Sequence, residues 1–273
     1  MSQQTVPHIT QPVGNSAFQL VQEKGWQRGL GNLHRSEFRR WFGTNMWLWM
    51  AVIWTAIFNF ILAGMVWRGQ MPYDEAYTLY CVFGGLFPQI ATIIIMQDVL
   101  VGEKETGTAA WILSKPVDRK AFVISKFIPN SIGVLLTMVL IPGLVAYIHI
   151  SVATGVWISP LRLLGGLSVL GLNQLFYLTL SLMLGAVFNN RAAVIAIPMA
   201  FAFGQQYILS AAPFLANVLP WSLAISLGDP APQAVAPGIL VATPFSPGPV
   251  WFALVCIVIF VAVALWRFEK TEF

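Results

Sequence analysis

Six apolar runs, each long enough to cross a bilayer as a helix, dominate this chain and leave it few choices of fold. They lie near 46–67, 76–100, 121–149, 163–187, 192–212 and 250–267. A hydrocarbon core takes about 20 helical residues to cross. Within it, every backbone N–H and C=O must find a partner inside the protein, which favours helices. Composition agrees, because 57% of the 273 residues are hydrophobic and only 10% are charged, against roughly 25% charged in a soluble domain. So few charges could not cover a water-soluble fold of this size. The expectation is an all-α integral membrane protein with six transmembrane helices. Residues 1–31 read as a polar tail and 32–273 as a single membrane domain.

Loop charge sets the orientation, since Lys and Arg accumulate on the cytoplasmic side. With the N-terminus inside, Lys24, Arg28, Arg35, Arg39, Arg40, Lys104, Lys115, Arg119, Lys120, Lys126, Arg191, Arg267 and Lys270 all fall inside, and only Arg68 and Arg162 fall outside. Both termini are therefore expected in the cytoplasm of a multi-pass plasma-membrane protein. The first 30 residues carry no apolar run like that of a secretory leader. A net charge of +4 suits loops beside anionic lipid rather than nucleic acid. Cys81 and Cys256 each sit within an apolar run, where a small buried side chain is the expected role.

Two segments outside the spans carry further information. "NLHRSEFRRWFG", residues 32–43, places Leu33, Phe38, Trp41 and Phe42 broadly on one side, with Arg35, Arg39 and Arg40 elsewhere. That pattern suits a helix in the inner-leaflet interface, ahead of the alternative of a plain lead-in to the first span. The external stretch 213–249 holds eight of the 17 prolines, no Lys or Arg, and Asp229 as its only acid. It is too apolar for a solvated loop and too broken for a span. A re-entrant stretch of short helices between spans five and six, buried in protein, fits best.

Catalytic chemistry is hard to find. No HExxH, no nucleophile with a nearby base, no carboxylate pair and no phosphate-binding GxxxxGK[ST] loop occurs. Asp98 lies near the inner end of the second span and His149 near the outer end of the third. The spans hold neutral amides instead: Asn59, Gln89, Asn173, Gln174, Gln205 and Gln206. Such groups serve most often as hydrogen-bonding glue between helices. The sharper alternative is that Gln89, Asn173, Gln174, Gln205 and Gln206 line a polar route through the protein. No metal ligands or catalytic residues are proposed.

Between spans two and three, on the inner side, runs "GEKETGTAAWILSKPVDRKAFVISK", residues 102–126. Here the chain concentrates its charge. The part before Pro116 has room for about three helical turns, with Trp111, Ile112 and Leu113 as an apolar side, and Pro116 disfavours helix at Lys115. Rimmed by Glu103, Glu105, Lys115 and Arg119, the segment reads as a docking knob for a soluble partner or as an anchor on lipid headgroups.

This stretch resembles the signature segment of the type 2 exporter family of ABC transporter permeases. The matching positions are Glu103, Glu105, Gly107, Thr108, Leu113, Ser114, Pro116, Val117, Arg119 and Lys126. Ala110 and Trp111 depart from the acidic and aliphatic residues more frequent there. The resemblance implies a permease domain in which residues 102–120 form a cytoplasmic coupling helix. Glu103, Glu105, Gly107, Thr108, Trp111, Leu113, Ser114, Pro116 and Arg119 would meet a separate ABC-type ATP-binding subunit. That subunit would bind ATP and Mg, so this chain would need no cofactor and would not itself be an enzyme. A second permease chain, identical or not, would complete the pathway. The rival expectations are a non-transporting module that turns a partner ATPase's motion into mechanical or signalling output, and a membrane enzyme acting on lipid.

Overall fold

The computed structural model describes residues 25–69, 71–226 and 233–271. Most of the tail and Asp229 lie outside the described residues. The described chain is helical, with no β-strand. In order the helices are α1 (Leu30–Phe42), α2 (Met46–Val66), α3 (Tyr73–Glu105), α4 (Thr108–Leu113), α5 (Arg119–Val134), α6 (Ile141–Thr154), α7 (Pro160–Val187), α8 (Arg191–Ala211), α9 (Val235–Val241) and α10 (Gly248–Glu269). Six continuous helices are long and apolar enough to cross a membrane: α2, α3, Arg119–Thr154, α7, α8 and α10. They coincide with the six runs read from hydropathy.

Local chemistry explains several boundaries. Side-chain oxygens of Asp118, Ser159 and Asn190 accept from the backbone N–H groups of Lys120, Leu161 and Ala192. Each thereby satisfies a donor that the start of a helix leaves unpaired. Gly107 ends α3 and opens α4 with φ at 72°, a left-handed geometry that only glycine adopts at little cost.

The helix α7 sits at the centre, with 78% of its apolar window buried, against 17% for α10. The helices α3 and α10 pack along it, and α8 packs on α3. The third span lies more to the side. Its α5 half packs chiefly on α1, and its α6 half on α2. At 33 residues, α3 is about 50 Å long, so its last turns reach past a hydrocarbon core at the end where the charged loops gather.

The length of the third run allows either a tilted span or one with an interfacial turn near Lys126–Asn130, and α5 runs through those residues unbroken. The polar groups there are paired sideways instead: Asn130 Nδ2 donates to the Lys126 carbonyl at 2.6 Å, and Trp41 Nε1 donates to Asn130 Oδ1 at 3.0 Å. The irregularity falls at Leu135–Leu140, one stretch of π-helix between α5 and α6. One expectation changes. The helix before Pro116 is shorter than three turns, at six residues, because the charged Glu103–Glu105 belongs to the last turn of α3.

Beyond α8 the chain forms two 3-10 turns, Pro213–Asn217 and Pro220–Leu223, then α9. Ser222, Leu223, Ala224, Val235, Ala236 and Leu240 are buried, so this broken backbone is sheltered by protein.

Candidate functional site at the charged end

The short helix α4 rests on the bundle by one face. Ala109 is fully buried, and Ile112 and Leu113 pack against the same cluster as Trp41, Leu100 and Phe122. These positions, spaced i, i+3 and i+4, share a side of a helix. Trp111 therefore does not join Ile112 and Leu113 as expected from their adjacency. It points the other way, 63% exposed, with Lys115 Nζ 3.4 Å from its ring centroid. Gly107, Thr108, Ser114 and Pro116 are exposed around it, and Leu113 is half-buried. The tip is thus an indole with a cation stacked on it, ringed by small polar residues.

The charged members of the motif are engaged within the chain. Lys126 is 2% exposed and pairs with Glu37 of α1 at 2.5 Å and with Glu103 of α3. Arg40 lies 3.9 Å from the same Glu37, so two cations and two carboxylates alternate. Glu105 accepts from Arg191 at 2.8 Å, and Arg191 also reaches Asp98 at 3.1 Å. Arg119 donates to the carbonyls of Glu269 and Thr271, and Lys120 pairs with Glu269 at 3.4 Å. Lys104 Nζ donates to the Gly185 and Ala186 carbonyls, 2.8 and 3.1 Å away, where a cation complements the dipole at the end of α7. Asp118 N–H donates to the Arg28 carbonyl at 3.0 Å. The segment from Glu103 to Lys126 is therefore fastened to α1, to the α7–α8 turn and to the end of α10.

Residues 9–273 match the model of a family described as ABC-2 family transporter protein. The chain belongs to the ABC-2 transporter family. No curated protein sequence matches it. It is the membrane-spanning permease subunit of that family, and among its described residues no group of His, Cys, Asp and Glu could hold a metal.

The amides of this ABC-2 permease brace its spans. Pro88 has no N–H, which leaves the Gly84 carbonyl without its helical partner. Gln174 Nε2 donates to that oxygen at 3.2 Å. Asn173 Nδ2 donates to the Gly85 carbonyl at 3.1 Å, and Thr92 Oγ1 donates to Gln174 Oε1 at 3.3 Å. Gln205 is fully buried, donating to Tyr177 Oη at 2.8 Å and accepting from the Trp221 N–H at 3.0 Å. Gln89 is buried and Gln206 is exposed. Sequence reasoning missed Glu37, Lys104 and Arg191 as partners, since nothing local marks a pair 80 or more residues apart.

Proposed function

We propose that this permease is half of an exporter's membrane unit, driven by ATP hydrolysed on a separate ABC-type ATP-binding subunit. Trp111, held out from α4 at the charged end, carries the proposal. A soluble motor needs a protruding feature that is rigidly fastened to the spans, and α4 is both. In this reading the charged end is cytoplasmic, with both termini there, and the membrane is the plasma membrane. Gly107, Thr108, Trp111, Ser114 and Pro116 form the contact with the motor, while Glu103, Glu105, Leu113 and Arg119 hold the contact in place. ATP and Mg stay on the motor. A second permease chain supplies the other wall of the route, and ATP-driven closure of the motor shifts the spans between two states.

The test is co-expression and co-purification with an ABC-type ATP-binding subunit. Trp111→Asp should lower recovery of the motor by at least tenfold while the permease itself purifies normally. An equally stable complex would remove α4 as the contact.

One observation favours a second reading, a module that relays motor movement without transport. Asn173, Gln174 and Gln205 are buried in hydrogen bonds within one chain, so a polar route would need another conformation or the space between two chains. The double variant Asn173→Leu with Gln174→Leu separates the readings. Substrate-stimulated ATPase should fall in an exporter and stay unchanged in a relay.

A further inference from the structure

The third span is one helix by length but two bodies by its contacts. Its α5 half carries α1 and the end of α10 with it, the latter through Arg119, Lys120 and the stacked Phe122–Phe268 pair. Trp41 packs on Gly133, where a Cβ would overlap the indole ring, and the Trp41–Asn130 hydrogen bond and Lys126–Glu37 ion pair add two further ties. The loop after α4 joins this body, with Val117 packed against Gly29 and Asp118 N–H on the Arg28 carbonyl. The α6 half belongs elsewhere. Asn59 of α2 donates to the Pro142 carbonyl at 3.3 Å and meets His149 Nε2 at 2.9 Å.

Between the halves lies the π-helical stretch Leu135–Leu140, followed at once by Pro142. A π-turn spaces its hydrogen bonds more widely and usually marks one extra residue in an α-helix. Pro142 removes a further backbone donor just beyond it. The flanks are also open. A groove of about 330 Å³ separates Leu135, Val139 and Leu140 from Leu164, Leu167 and Leu172 of α7. Another, of about 350 Å³, lies between Met138 and Trp54, Phe87 and Ile94. The irregular part of the span is thus also the part flanked by two surface grooves.

We infer that the third span is a two-part arm that turns at Leu135–Leu140, with Lys126 the positioning residue that latches the α5 half to α3. Glu103 is the releasable side of the latch: it is the tie from Lys126 to α3, which packs on the central helix α7, whereas Glu37 travels with α1. Movement of the α4 loop reaches the arm through Arg28 and Gly29. The arm does not depend on the identity of a docking partner, so it can be tested on the permease alone.

Spin labels placed in pairs on the chain in lipid nanodiscs, with Cys81 and Cys256 replaced by alanine, report the movement as distance distributions. Ser36→Cys with Asn189→Cys spans the arm and the core, and both positions are exposed. Val152→Cys with Leu161→Cys, also exposed, reports the α6 half alone. The first pair should give a broad distribution and the second a narrow one. Deleting Leu136, which restores uninterrupted α-helix, should narrow the first pair to a single distance. Glu103→Gln should shift it to longer distances. Should the deleted chain fail to purify, Glu103→Gln decides, because it leaves the helix intact. A first distribution as narrow as the second, or one that Glu103→Gln leaves unchanged, overturns the hinge.

Discussion

The two ends of this bundle are held by different physics. All six described ion pairs lie at the charged end, tying α1, α3, α5, α8 and α10 together. The proline-rich end is held by shape and neutral hydrogen bonds. Gly85 lies so close to Ala224 that a Cβ would overlap it, Gly166 takes Leu240, and Gln205 accepts from Trp221. A buried charge fails when its partner is lost, whereas a close contact fails when an atom is added. Each end should therefore break under a different kind of substitution.

The largest effect is expected at Lys126. Lys126→Met leaves Glu103 without a cation and Glu37 with only the half-exposed Arg40, and breaking a buried pair costs about 3–5 kcal/mol. Thermal unfolding in detergent should show this as the steepest fall of any variant here. Next comes Gly85→Ala, where overpacking costs about 1–3 kcal/mol. Because Ala224 supplies the clash, adding Ala224→Gly should restore most of the loss, and no rescue would mean that shape is not what holds this end. Gln174→Leu frees the Gly84 carbonyl again and should cost about 1 kcal/mol. The smallest effect belongs to Arg191→Ala. Its pairs with Asp98 and Glu105 are about half exposed, so they contribute at most about 1 kcal/mol and fade in high salt. If Lys126→Met proved as mild as Arg191→Ala, the contrast between buried and exposed charge at this end would collapse.

The spans were legible because hydrocarbon imposes a length and an apolar composition that no tertiary contact overrides. All six runs became helices, and the caps at Asp118, Ser159 and Asn190 follow from residue type. The candidate site was legible in part. A short helix between the second and third spans could be read, yet the orientation of Trp111 required knowing that Ala109 faces inward. The role of Glu103 could not be read at all. A carboxylate in a charged loop and a carboxylate paired with a buried lysine look alike until α1, far away in sequence, folds against α5. The π-helical stretch Leu135–Leu140 escaped for a related reason. Its residues are ordinary apolar ones, and only the registers demanded by α1 on one side and α2 on the other make room for an extra residue.

Lys104 gives one more consequence, concerning the making of the protein rather than its work. It precedes the Gly185 carbonyl it clasps by 81 residues. While a ribosome is still supplying that chain, the ammonium has no clasp to form. In the orientation proposed above, it would be a retention charge that keeps the end of α3 from being carried across the bilayer. Once the hairpin of α7 and α8 arrives, the same group becomes its fastening, so one side chain serves first as a topology signal and later as a seal on assembly.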